Sequence, residues 1–164
     1  MEIQKSGPPG GFLVKMLSSF FYTGYLPKAP GTWASGITAI ILFYIWPGQW
    51  HLQFLITLTV YFIGVELSSR AEQYYGHDSP RIVIDEVAGQ MTALFMVPRM
   101  LLPFIMAFVL FRIFDIIKPP PARAWESLHR GYGVMSDDIA AGAYAVLATH
   151  FLLALLNKWG VSYL

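Results

Sequence analysis

LLPFIMAFVLFRIFDIIKPPPAR, residues 101–123, is the stretch on which the reading of the fold turns. The run from Leu101 to Ile117 is long, apolar and without alternation, so it reads as a helix and not a strand. Arg112, Asp115 and Lys118 enter its end at intervals of three. Steps of three advance about 300° on a helix, so these charges fan over a strip about 120° wide. Pro119, Pro120 and Pro121 then remove backbone donors and stop the helix. Two readings of such an ending compete. It is a salt-bridge ladder at headgroup level with snorkelling side chains, or it belongs to a functional site, the default for a charge inside a membrane segment.

Composition favours the membrane. The chain has 164 residues, a length for one domain (1–164), and is 55% hydrophobic but only 13% charged. Soluble domains carry about 25% charged residues, and the mean hydropathy here is +0.51. The blander alternative is a soluble helical protein with an oversized core. A net charge of +1 gives no electrostatic case for nucleic acid. With no cysteine, disulfides and thiolate metal sites are excluded, and any metal falls to oxygen or imidazole ligands. The opening MEIQKSGPPGG lacks a basic stretch leading into an apolar one, so no cleaved signal peptide is expected.

Four more apolar segments accompany the first: Trp33–Trp46, Leu52–Val65, Glu86–Val97 and Ile139–Leu156. Most fall short of the ~20 residues of a full crossing. Pro47-Gly48 and Pro98-Arg99 punctuate them, residues 66–76 continue the second as an amphipathic helix, and Phe12–Tyr22 is a candidate interfacial helix. The expected fold is therefore all-α, a polytopic membrane bundle of about four or five short crossings. With the N-terminus in the cytoplasm, alternation puts eight basic residues inside (Lys5, Lys15, Lys28, Arg70, Arg81, Lys118, Arg123 and Arg130). Arg99 and Lys158 fall outside.

Four stretches are unusually polar: LPKAPGTWASG (26–36), GHDSPRIVIDEVAGQ (76–90), FRIFDIIKPPPAR (111–123) and GVMSDDIAAG (133–142). In this topology all four reach the cytoplasmic end of a crossing, which points to one site at the membrane surface. Adjacent Asp85 and Glu86 repel unless a cation lies near, although helix-start acids also complement the macrodipole. Gln90 shares the face of Glu86. Ser136-Asp137-Asp138 reads first as an N-cap, with two acids more than a cap requires. His77 and Asp78 are weaker candidates, since Asp-Ser-Pro is also a turn. Asp85, Glu86, Asp115, Asp137 and Asp138 together form an oxygen-only set suited to Mg²⁺. Lys28, Arg112, Lys118 and Arg123 suit a phosphate, as does the Gly31-Thr32 turn before a helix. Metal, phosphate and membrane surface together suggest chemistry on a phospholipid headgroup.

These four motifs, in this order from about Gly24 to Gly142, resemble the phosphatidylglycerophosphatase A family. The pattern carries over to Pro27, Pro30, Gly31 and Thr32, then to Asp78, Asp85, Glu86 and Gly89, to Arg112, Asp115, Lys118 and Pro119, and to Asp137, Asp138 and Gly142. The chain departs from it at Tyr22-Thr23-Gly24 and at Trp33-Ala34-Ser35. The resemblance implies a Mg²⁺-dependent phosphatase of the inner membrane, with its active site facing the cytoplasm, that takes phosphatidylglycerophosphate to phosphatidylglycerol. Asp85, Glu86 and Asp115 would be catalytic, Lys28, Thr32, Arg112, Lys118 and Arg123 would hold the phosphate, and the five carboxylates would hold the metal. A metal-activated water and an aspartyl-phosphate remain open as mechanisms. The rival from another class is a transporter or ion pathway, since intramembrane acids also mark cation routes.

Overall fold

A computed structural model describes residues 11–76, 79–120, 122–125 and 128–160. His77, Asp78 and Pro121 lie outside the described residues. Among those described there is helix and no strand. The helices are α1 (Gly11–Ser18), α2 (Pro30–Ile45), α3 (Trp50–Tyr75), α4 (Ile84–Ala93), α5 (Leu101–Ile117), α6 (Ala122–Trp125) and α7 (Gly131–Lys158).

The apolar segments become α2, α3, α4, α5 and α7, and the predicted bounds of α5 are the observed ones. Residues 66–75 do continue α3, which reaches 26 residues. At 1.5 Å per residue α3 and α7 are about 40 Å long, against ~30 Å of bilayer hydrocarbon. Both are long and apolar enough to cross a membrane. The segment expected over Glu86–Val97 yields only the 10 residues of α4. That is about 15 Å, half a crossing. Phe12–Tyr22 is helical only to Ser18, after which Phe20, Phe21 and Tyr22 turn the chain through positive φ.

Short α4 is nevertheless the hub: α2, α3, α5 and α7 all pack against it. Its closest neighbour is α7, and two glycines make the approach possible. A Cβ on Gly142 would lie 2.4 Å from the Gly89 carbonyl oxygen, and one on Gly89 would lie 2.9 Å from the Asp138 carbonyl oxygen. Small residues at a crossing let helix backbones meet where hydrophobic burial cannot drive association. Val87, Met91 and Leu94 pack on the α2–α5 side, while Ala88 joins Val65 and Met135 on the α3–α7 side. Outward faces carry large apolar residues such as Ile45, Ile116 and Phe151. An apolar exterior of this extent suits lipid as its solvent.

Helix direction sorts the bundle into two ends. The starts of α2, α4 and α7 and the end of α5 share one; the turn after α4 lies toward the other. That turn is tied down by side-chain bonds to the backbone. The Gln53 amide donates to the Pro47 carbonyl at 2.7 Å and accepts from Met96 N–H at 2.8 Å. Trp46 Nε1 donates to the Leu94 carbonyl at 3.2 Å. The His150 ring lies against the Val146 and Met96 carbonyls. This histidine inside an apolar helix is thus a latch on the backbone.

Candidate active site

Two acidic pairs face one another at the other end, and they are built alike. Asp85 and Glu86 occupy the first turn of α4. Asp85 Oδ1 accepts the Glu86 N–H at 2.9 Å, and Asp137 Oδ1 accepts the Asp138 N–H at 3.1 Å. In each pair the first acid holds the backbone of the second, leaving the second side chain to project. Those second acids meet Asp115 from α5. Glu86, Asp115 and Asp138 each offer an oxygen within 4.8 Å of the others. Three helices thus bring three carboxylates together, out of the five expected from the sequence.

The expected cap at residues 136–138 is not there. Helix α7 begins at Gly131, so Ser136, Asp137 and Asp138 lie inside it. Ser136 instead shares a 2.8 Å hydrogen bond with the Tyr61 hydroxyl. Placement within the helix, and not before it, is what lets Asp138 reach across to α4 and α5.

Cations distribute themselves around the acids. Arg112 donates through Nη1 to Glu86 Oε2 and pairs through Nη2 with Asp115 Oδ2 at 3.2 Å. Lys118 pairs with Asp137 at 2.7 Å. It is also where α5 ends, with φ 47° and ψ 64°. A non-glycine residue in the left-handed region is costly, and one before proline doubly so. Strain of this kind persists where surrounding structure over-determines it, often at functional sites. The Tyr144 hydroxyl donates to the Pro120 carbonyl, fastening the proline turn to α7.

Ser35 is the residue that sequence reasoning passed over, noting it only as a departure from the family pattern. Its hydroxyl donates to the Gly31 carbonyl at 2.6 Å and sits 3.3 Å from both Glu86 Oε2 and Arg112 Nη1. The available signal was its i,i+4 spacing from Gly31, which places both on one face of α2. Gly31 itself admits Glu86: a Cβ there would fall 1.8 Å from Glu86 Oε1. Thr32 is half-buried in the first turn of α2 and does not cap it, because Ala29 is the N-cap residue, at φ 47°. Lys28 and Arg123 are exposed. Among the described residues neither bonds to the acidic set.

Charge does not balance here. Among the described residues Asp85, Glu86, Asp115, Asp137 and Asp138 face only Arg112 and Lys118, an excess of three negative charges if all five ionise. Burial, and then the charge of Glu86, pushes Asp85 well above the usual carboxylate range. Burial followed by the charge of Asp115 pushes Glu86 up to about 7, although Arg112 opposes the shift. Among the described residues Asp138 Oδ2 is buried without a hydrogen-bond partner, whereas native buried polar atoms are rarely left unpaired. A divalent cation answers both defects, and the all-oxygen donor set fits a hard one.

Comparison with known proteins agrees with this chemistry. Residues 16–153 match the sequence profile of the family described as Phosphatidylglycerophosphatase A. A Bacteroides thetaiotaomicron protein, provisionally named a phosphatidylinositol-3-phosphatase, is 36% identical over 90% of this chain and 95% of its own. The Haemophilus influenzae protein named phosphatidylglycerophosphatase A is 36% identical over 82% of this chain and 85% of its own. Its Escherichia coli namesake is 35% identical over 84% and 81%. No solved structure matches.

Proposed function

The chain belongs to the phosphatidylglycerophosphatase A family, and from that membership we propose that it removes the terminal phosphate of phosphatidylglycerophosphate to give phosphatidylglycerol. The observation that carries the reading is the meeting of Glu86, Asp115 and Asp138 from three helices, with Arg112 bound across two of them. Nothing in the family or in its named relatives favours a transporter.

Glu86, Asp115 and Asp138 would hold the cation, proposed to be Mg²⁺, with Asp137 and Asp85 flanking. Bound there, the cation would polarise phosphoryl oxygens and make a water acidic enough to attack. Arg112 presents a fork of donors suited to the planar spread of charge over phosphate oxygens. Ser35 keeps that fork and Glu86 in register. Lys118 and Thr32 would be further phosphate contacts carried from the motif, and Lys28 and Arg123, chosen for their charge, would approach from exposed positions.

Asp85 stands beside the three converging acids and is assigned the proton of the attacking water. Water oxygen bonds to phosphorus, the bond from phosphorus to the glycerol oxygen breaks, and that oxygen takes up a proton as inorganic phosphate leaves. In the alternative route an Asp115 oxygen bonds to phosphorus as the bond to the glycerol oxygen breaks and that oxygen takes up a proton; water then cleaves the acyl phosphate to give inorganic phosphate and the free carboxylate.

The membrane arrangement follows the same reading. The four longer helices α2, α3, α5 and α7 would cross, α4 would enter halfway, and the acidic end would face the cytoplasm, as the excess of basic residues on that side suggests. Phosphate release from phosphatidylglycerophosphate, and in parallel from phosphatidylinositol 3-phosphate, tests the proposal with purified protein in detergent. Release from the first that stops with EDTA and returns with Mg²⁺ is expected. Release from the inositol lipid alone would move the substrate assignment, and release indifferent to EDTA would remove the metal.

A further inference from the structure

Two apolar grooves of about 350 Å³ each run down the outside of the bundle. That volume is at the small end for ligand sites, and the two grooves differ at their heads. One lies between α2 and α5, starting at Gly36 and Phe108 and descending past Ile40 and Phe104 to Tyr44 and Leu101. Gly36 follows Ser35 directly, and Phe108 precedes Arg112 by one helical turn. The groove therefore opens immediately below the two side chains that gather on Glu86. The other groove, between α3 and α7, is headed by Tyr61, whose hydroxyl is bound to Ser136 and bridges the two helices there.

We propose that the α2–α5 groove receives an acyl chain of the phospholipid whose phosphate occupies the carboxylate–arginine site; this rests on the phosphatase reading above. Continuity is the first argument, since phosphate and chain belong to one molecule and the groove begins where the arginine ends. Shape is the second. Gly36 leaves the head of the groove open: a Cβ there meets Phe108 only at 3.7 Å, so any larger side chain extends into the channel. The walls are unpartnered, with Ile40 64% and Leu101 68% exposed.

Bilayer tails are as apolar as the groove, so a chain gains no hydrophobic energy by leaving lipid for it. What the groove supplies is orientation. A chain aligned along α2 and α5 fixes the acylated glycerol and, through the phosphodiester and second glycerol, limits where the terminal phosphate lies at Arg112; small misplacements at a reacting centre cost rate steeply. The groove thus acts on lipid substrates and has nothing to hold on a deacylated headgroup.

Gly36→Leu closes the head, and Ile40→Trp, at a site 64% exposed, narrows the middle. Each variant is compared with the unaltered protein on dioleoyl phosphatidylglycerophosphate and on glycerophosphoglycerophosphate, which has no chains. The expected result is a fall in kcat/KM of about tenfold on the dioleoyl lipid and less than about twofold on the deacylated compound. Equal falls on both substrates, or no change on either, overturn the groove assignment while leaving the phosphatase reading intact. If the unaltered protein hydrolyses neither compound, the phosphatase reading itself fails and takes the inference with it. A lipid carrying a photoreactive group in its acyl chain gives a readout independent of turnover. Labelling of α2 or α5 is expected, and labelling confined to α3 and α7 overturns the proposal.

Discussion

The two ends of the bundle treat buried polarity in opposite ways. At the end where α4 turns back, Gln53, Trp46 and His150 each meet backbone partners. At the other, among the described residues, five carboxylates crowd around two cations, Asp138 Oδ2 has no hydrogen-bond partner, and Lys118 holds a strained backbone. One end is satisfied and the other is not. Folding free energy alone selects the first arrangement, because a buried polar group costs less when paired. An unsatisfied end is what a site completed from outside the chain would leave, as a bound cation would complete this one. The contrast points to the candidate site without reference to any relative.

Neutralising single groups sharpens this contrast, since the two ends should answer with opposite signs. The largest effects fall at the acidic end. Asp115→Asn, Glu86→Gln or Asp138→Asn should each lower Mg²⁺-dependent phosphate release about 10³-fold or more, as loss of a metal-centred charge carrier implies. In EDTA the same Asp138→Asn should raise the melting temperature by about 2–4 °C, because a repelling buried charge has gone. A fall in melting temperature would mean that Asp138 is already satisfied within the protein. Arg112→Lys should cost about 10²- to 10³-fold in kcat/KM, since an ammonium cannot span Glu86 and Asp115 as the fork does.

Smaller effects follow. Ser35→Ala should reduce activity about 10-fold by loosening Glu86 and Arg112 against each other, and Ser35→Thr should recover part of it. At the satisfied end Gln53→Leu strands the Met96 N–H and the Pro47 carbonyl. It should lower stability by about 1–3 kcal/mol in a denaturation series, with turnover per folded molecule unchanged. If Gln53→Leu instead abolished turnover at full stability, the division between the two ends would be wrong.

The sequence carried part of this picture. The extent of α5 was legible because an apolar run is stopped by prolines, and the positions of Asp85 and Glu86 at a helix start were legible for the same local reason. The start of α7 was not. Gly131, Gly133, Ser136 and Asp137 are poor helix formers, and only tertiary contacts hold them helical. Gly131 N–H donates to Ser69 Oγ at 3.0 Å, and Met135 lies so close to Gly64 that a Cβ there would meet its methyl at 2.4 Å. Ser35 was missed because its partners are a glutamate and an arginine far away in sequence. Which acids converge was likewise hidden: five were in view, and helix crossings at Gly89 and Gly142 select three.

Metal binding itself is the most direct test of the central claim. Mn²⁺ can stand in for Mg²⁺ and be followed by electron paramagnetic resonance, titrated into detergent-solubilised protein and into the Glu86→Gln, Asp115→Asn, Asp138→Asn and Gln53→Leu variants. The account predicts saturable binding in the unaltered protein and in Gln53→Leu, and its loss in each of the three acid variants. Binding of equal strength in all five proteins, or in none, would contradict it.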